Sequence, residues 1–228
     1  MSPKIVLHYL DQSRADRIIW LLEELGLDYE LKTYKRGRDM VSPPELKRVH
    51  PLGKSPVLEV DGKKLIESGY IVDYVIRHFD NNKVLAADNE EDAEKISLAL
   101  HHAEGSIMTP FIVALITTKI REGPFLARPL LNIVAGRVES SYAVPNINLQ
   151  LDYLEQLLKD NGSNGLFVGE HLTGADIIYM FPLRIAKERN FLSIQRHPNI
   201  LKYLETIQAR DAYKRAETRE REAGMSKI

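Results

Sequence analysis

Two segments of this 228-residue chain carry residue types at spacings that can do chemistry. The first is His50-Pro51-Leu52-Gly53-Lys54-Ser55-Pro56-Val57-Leu58; the second, Ile66-Glu67-Ser68-Gly69, begins ten residues after Pro56. A proline that opens a strand removes one backbone donor, and X-Pro is the only bond that takes the cis form cheaply. A cis Ser55-Pro56 bond would turn the N–H and C=O of Ser55 outward, ready to pair with an extended peptide. Glu67-Ser68 at a helix start would add unpaired N–H groups and a hydroxyl for a carboxylate, and a side-chain carboxylate for an ammonium. Such a site suits a zwitterionic γ-glutamyl group. Taken singly, Pro56 also reads as an ordinary trans turn proline and Ser68 as a simple helix cap; their combination carries the reading.

Other patterns fail on inspection. Gly53-Lys54-Ser55 resembles the tail of a phosphate-binding loop, but Arg48 stands where the loop needs its first glycine, and Pro56 obstructs the helix that would follow. His101-His102 point about 100° apart on a helix, and no His or carboxylate stands four residues after His101 to complete a same-face pair, so no metal is expected. The C-terminal mixture of Arg210, Lys214, Arg215, Arg219 and Arg221 with Asp211, Glu217, Glu220 and Glu222 reads as a solvated helix face.

The elements that must position these residues follow from periodicity and punctuation. Lys4 to Tyr9 is a short β-branched strand, and a helix with Ile18, Ile19, Leu22 and Leu25 on one face is expected from Ser13, as N-cap, to Gly26. Asp28 to Tyr34 alternates as a strand does, which makes a parallel crossover unit. A short helix at Pro43 to Lys47 precedes a hairpin, residues 56–60 and 63–66, around the turn Asp61-Gly62. Glu67-Ser68 then opens a helix with Ile71, Val72, Val75 and Phe79 on its apolar face. Beyond residue 88 the pattern is helical, with breaks expected at Gly123-Pro124, Pro145, Gly162 to Gly165 and His197-Pro198. The expected division is an α/β domain over 1–82, a linker over 83–89 and an all-α domain over 90–228. Thr173-Gly174-Ala175-Asp176 is a capping box, with Leu172 and Ile177 as a hydrophobic staple, worth about 1–2 kcal/mol.

Composition narrows the chemistry. The chain is 44% apolar, with 31 basic and 32 acidic residues and a formal net charge of −1, which disfavours a nucleic-acid binder. It contains no cysteine, so disulfides, thiolate metal sites and a nucleophilic cysteine of its own are excluded. Thiol chemistry here needs a thiol from outside. The N-terminus lacks the pattern of a signal peptide, and the longest uncharged stretch, Gly105 to Thr118, is 14 residues with Pro110 inside it, so a buried helix is expected in place of a membrane span.

The βαβ–α–ββα order followed by helices, with Ser13-Arg14, the His50 to Pro56 segment, Glu67-Ser68, Trp20 to Gly26 and Ala103-Glu104-Gly105-Ser106, resembles the glutathione S-transferases, most closely the fungal and bacterial group with Ser-Arg after the first strand. The likeness covers the whole chain and implies a thioredoxin-like glutathione-binding domain and a helical bundle. It implies an enzyme that ionises bound glutathione and delivers the thiolate to a hydrophobic electrophile, in detoxification or stress response. A free thiol near pKa 8.5 needs lowering by about two units, or about 2.7 kcal/mol, to be mostly thiolate at neutral pH.

Ser13, at a helix start, is the expected hydrogen-bond donor to sulfur, aided by the helix dipole. Its pKa is far too high for it to act as a base. By resemblance, Ser55 pairs its backbone with the cysteinyl part of glutathione, Glu67 and Ser68 hold the γ-glutamyl end, and His50 and Lys54 reach the glycyl carboxylate. Glu104 of a neighbouring subunit is a weaker candidate for the γ-glutamyl ammonium, and Tyr9 is the runner-up donor to sulfur. Arg14 is undecided between a site contact and a surface charge. The electrophile is expected against Ser106, Met108, Phe111 and Ile112. The resemblance further implies a homodimer in the cytoplasm, with peripheral membrane association left open. A glutathione-dependent peroxidase or isomerase, and a non-catalytic glutathione-binding regulator, are the alternatives.

Overall fold

The computed structural model describes residues 3–37, 39–162 and 164–225. A four-stranded sheet is built from β1 (Ile5–Leu10), β2 (Glu30–Tyr34), β3 (Val57–Val60) and β4 (Lys63–Leu65), in the order β2-β1-β3-β4. β1 runs parallel to β2, with Leu7 opposite Leu31, and antiparallel to β3, with Leu7 opposite Leu58. The β3–β4 hairpin turns on Asp61 and Gly62, both at positive φ, as a two-residue turn of the Asp-Gly type requires. Helices α1 (Asp16–Glu24), α2 (Glu45–Val49) and α3 (Ser68–Phe79) complete the βαβ–α–ββα unit.

The remaining helices are α4 (Glu90–His102), α5 (Met108–Arg121), α6 (Arg128–Val138), α7 (Val144–Asp160), α8 (Gly174–Glu188), α9 (Pro198–Gln208) and α10 (Asp211–Glu222). Two expectations change. The helix after β1 opens at Asp16 with Ala15 as N-cap, two residues later than expected, because residues 13–15 form a turn in which Ser13 Oγ accepts from the Ala15 N–H. The chain does not break at Pro145. A π-helical segment, Glu139–Ala143, joins α6 to α7, and another, Ala103–Ile107, joins α4 to α5 just before Pro110. Each widened turn lies immediately ahead of a proline that lacks the N–H a regular helix would bond there, so the helical path continues.

The capping box forms as expected. Asp176 accepts from the Thr173 N–H at 2.8 Å, and Thr173 Oγ1 accepts from the Ala175 N–H at 3.3 Å. It fixes the start of α8, whose residues 174–186 are all buried. One continuous hydrophobic core runs from Leu7, Ile18 and Trp20 through Ala99 and Ile107 to Leu154, Ile178 and Tyr203. The helical run Glu90–Arg121 is long and apolar enough, by length and composition, to cross a membrane. It begins, however, with Glu90, Glu91, Asp92, Glu94 and Lys95, and it gives Ala99, Ala103, Ile107, Met108 and Phe111 to the core, as a packed helix does.

Candidate active site

A cleft of about 750 Å³ opens between the sheet domain and the faces of α5 and α8. One wall comes from the turn after β1, the segment before β3 and the start of α3, and carries Ser13, Arg14, His50, Lys54, Ser55, Pro56, Glu67 and Ser68. The opposite wall is apolar and includes Met108, Phe111, Ile112, Phe181 and Ile185.

Ser55 sits at the junction. Its peptide bond to Pro56 is cis, and its Oγ donates to the His8 carbonyl and accepts from the Leu10 N–H, each at 3.0 Å. Neither the N–H nor the C=O of Ser55 is bonded among the described residues. Ser13 Oγ lies 3.2 Å from Ser55 Oγ. Because the single proton of Ser55 goes to His8, Ser13 is the donor in this pair.

Glu67 precedes α3 at φ 66°, a left-handed conformation that is rare for a side chain of its size and costs of order 1 kcal/mol or more. Strain at such a position is common where a ligand is held. Ser68, the first residue of α3, is buried, and its hydroxyl has no partner among the described residues. The Lys54 ammonium and the Glu67 carboxylate are likewise without partners there, whereas His50 Nδ1 accepts weakly from the Leu52 N–H at 3.4 Å.

Two sequence expectations fall elsewhere. Tyr9 is buried on the far side of β1, where its hydroxyl donates to Glu220 of α10 at 3.1 Å, and it does not line the cleft. Burial together with Asp16 and Glu220 pushes its hydroxyl well above the ordinary tyrosine range. Ser106 is exposed and outside the cleft, because the π-helical turn it belongs to directs Ala103 and Ile107 inward and Ser106 away. Glu104 pairs with Arg14 and Arg17 of its own chain. Arg17 is buried, donates to the Ile178 carbonyl at 2.8 Å and lies over the Phe181 ring. Glu104 therefore balances two guanidinium groups and holds Arg14 against the cleft wall.

Several cleft residues escaped the sequence reading. Arg36 donates to the carbonyls of Asp11, Gln12 and Met40, pinning the loop after β2 over the cleft. No local pattern announces such a contact. Lys119 and Arg189 also line the cleft. Their signal was present in the helical spacing 108, 111, 112, 115, 119 on α5 and in 181, 185 on α8 continued by 189 at its C-terminal cap. Among the described residues no group of three or more His, Cys, Asp or Glu is placed to hold a metal ion.

Comparison with known proteins decides the family. The N-terminal domain model of the glutathione S-transferases matches residues 2–77, and the C-terminal domain model matches residues 110–211. The chain belongs to the glutathione S-transferase family. Among similar proteins, glutathione S-transferase 1 of Saccharomyces cerevisiae is 40% identical over 232 residues, covering 98% of each chain. Glutathione S-transferase 3 of Schizosaccharomyces pombe is 35% identical over 210 residues, covering 91% of this chain and 84% of the relative. A solved glutathione S-transferase from Actinobacillus pleuropneumoniae superposes with a TM-score of 0.74 at 33% identity, covering 94% of this chain and 92% of the other. In this transferase, the α/β unit is the thioredoxin-like N-terminal domain of the family and is followed by its helical C-terminal domain.

Proposed function

We propose that the cleft binds glutathione along the sheet wall and an apolar electrophile along the α5–α8 wall, and that Ser13 stabilises the thiolate formed between them. The observation that carries the reading is the convergence of Ser13, Ser55, Glu67, Ser68, His50 and Lys54 on one wall, facing Met108, Phe111 and Ile112 on the other. The unbonded N–H and C=O of Ser55 match the extended cysteinyl backbone. Ser68 and the start of α3 present donors to the γ-glutamyl carboxylate, Glu67 presents an acceptor to its ammonium, and Lys54 with His50 meets the glycyl carboxylate.

When a thiolate enters, the Ser13 proton can turn from Ser55 Oγ to sulfur. It exchanges a neutral acceptor for an anionic one, and hydrogen bonds to ions are about twice as strong as neutral ones. The sulfur then attacks the electrophile from a fixed position, which is the positional contribution of the fold.

The division near residues 83–89 separates the two walls. Exposed apolar side chains on the outer face of the helical domain, among them Leu98, Leu149 and Tyr153, support a homodimer. A cytoplasmic location accords with the chain's family membership. The deciding experiment assays conjugation of 1-chloro-2,4-dinitrobenzene beside reduction of an organic hydroperoxide, with thiolate absorbance of bound glutathione followed against pH. Conjugation with an ionised bound thiol near neutral pH is the expected result. Glutathione binding without ionisation would instead assign a non-catalytic holder.

A further inference from the structure

A helix on a protein surface ordinarily turns a polar side to water. α6 does not. Its inner side is apolar: Ala135 is buried, and Leu131 folds over Gly123, where a Cβ would meet Leu131 Cδ1 at 2.5 Å. Its outer side is apolar too. Leu130 and Ile133 are 66% and 71% exposed, and the short 3-10 turn ahead of the helix, Phe125–Ala127, adds Phe125 at 78% and Leu126 at 91%. Positions 126, 130, 133 and 137 recur at helical spacing, so Leu126, Leu130 and Ile133 form one stripe that ends in Arg137. Contiguous exposed apolar surface rimmed by charge marks a place where something docks.

The rim is basic. Residues 119–138 hold four basic residues, Lys119, Arg121, Arg128 and Arg137, against the one acid Glu122, a net of +3 in a chain whose total is −1, so the remainder carries −4. Lys119 pairs with Glu122 at 2.8 Å, and Arg121 pairs with Glu139. Arg128 and Arg137, at the two ends of α6, make no ion pair among the described residues. Arg128 donates to the Gly123 carbonyl at 3.2 Å and lies 6.0 Å from the centre of the Phe125 ring, which holds its charge beside the most exposed part of the stripe.

We propose that the turn between α5 and α6, with the outer face of α6, docks on an anionic lipid bilayer. Phe125, Leu126, Leu130 and Ile133 enter the boundary between headgroups and acyl chains, and Arg128 and Arg137 stay at the level of the phosphates. Charge decides between this surface and a second copy of the chain. Two copies meeting about a two-fold axis would set the same stripe against itself, and Arg128 and Arg137 would face like charges, the acid of each copy being already engaged by Lys119. A bilayer with anionic headgroups meets the arginines with opposite charge and the stripe with hydrocarbon. α6 has 11 residues, about half of what a span needs, so it lies in the interface and does not cross. The docking is independent of what the cleft binds.

The test sediments the full chain with vesicles of phosphatidylcholine alone or with about 30% phosphatidylserine added. At low salt, partitioning onto the anionic vesicles should exceed that onto phosphatidylcholine about tenfold, and the excess should shrink as salt rises. The double variant Leu126→Ser, Leu130→Ser changes exposed side chains only and should weaken partitioning onto the anionic vesicles about tenfold. Arg128→Gln with Arg137→Gln should bring the two vesicle types close to parity. Ile194→Ser removes an equally exposed apolar side chain ahead of α9 and should partition as the wild type does. Phe125→Trp reports insertion directly: its emission should move to the blue and be quenched by brominated acyl chains, against the steady background of the buried Trp20. No partitioning onto the anionic vesicles, partitioning indifferent to the α6 variants, or no quenching in Phe125→Trp overturns the inference. So does a wild-type dimer that Leu126→Ser, Leu130→Ser converts to a monomer in lipid-free sedimentation, which would assign the face to a second copy.

Discussion

Ser13 donates to Ser55 across 3.2 Å, and this bond ties the turn after β1 to the entry of β3. The direction follows from Ser55 giving its one proton to the His8 carbonyl. The two serines thus differ in role although they touch. Ser13→Ala should lower kcat for conjugation by about a hundredfold, the scale of losing one donor to a developing or bound anion, with KM for glutathione nearly kept. Titration of bound glutathione by thiolate absorbance should show the pKa raised toward the free value. Ser55→Ala should leave that pKa unraised but cost about 2–3 kcal/mol in denaturant unfolding, because the Leu10 N–H and His8 C=O lose their partner. Equal thiolate pKa values in wild type and Ser13→Ala would move the role to water or the backbone.

Tyr9 offers the contrasting case. Its hydroxyl is buried against Glu220 and bridges β1 to the C-terminal helix. Tyr9→Phe should leave the thiolate pKa of bound glutathione unchanged and destabilise the fold by about 1–3 kcal/mol, since Glu220 loses a donor in a buried site. A raised thiolate pKa in this variant would show that Tyr9 reaches the cleft in solution.

The start of α3 predicts a binding phenotype. Ser68→Ala should raise KM for glutathione about tenfold with kcat little changed, because the hydroxyl contacts a part of the tripeptide that does not react. Glu67→Gln should act in the same direction by removing the charge that meets the ammonium. Initial-rate kinetics at varied glutathione separate these effects from the kcat loss of Ser13→Ala.

Much of this site was legible because its signals are local. The Asp61-Gly62 turn, the Thr173-Asp176 capping box and the Ser55-Pro56 and Glu67-Ser68 pairs each depend on residues a few positions apart. The errors came where distance or face decides. β1 is buried on both faces, so its mostly apolar run could not tell whether Tyr9 looks toward the cleft or toward α10. Ser106 lies within a π-helical turn, which shifts the face that ordinary helical spacing assigns. The pairing of Glu104 with Arg14 and Arg17 of its own chain went unread, because those partners lie about ninety residues away in sequence. Ser13 was placed as a helix cap, whereas the turn it caps delays α1 to Asp16 and frees its hydroxyl for the cleft.

Asp176 gives the fold a measurable pH dependence. It is fully buried beneath the Thr173 N–H and hydroxyl and the Phe167 N–H, and burial outweighs these hydrogen bonds to push its carboxyl up to about 6. The unfolded chain has this group near 3.9. A folded pKa above the unfolded one means that the folded form binds the proton more tightly, so the group's favourable contribution is complete below about pH 4 and is lost as pH rises through about 6. The difference amounts to about 2–3 kcal/mol between pH 4 and pH 7. Asp176→Asn keeps an acceptor for the Thr173 N–H but removes the titration. Urea unfolding of wild type and Asp176→Asn at both pH values should show the variant's relative stability rising with pH by that amount. A difference that does not vary with pH would place the Asp176 carboxyl at its ordinary value in the folded protein, and the α8 cap would then act through its hydrogen bonds alone.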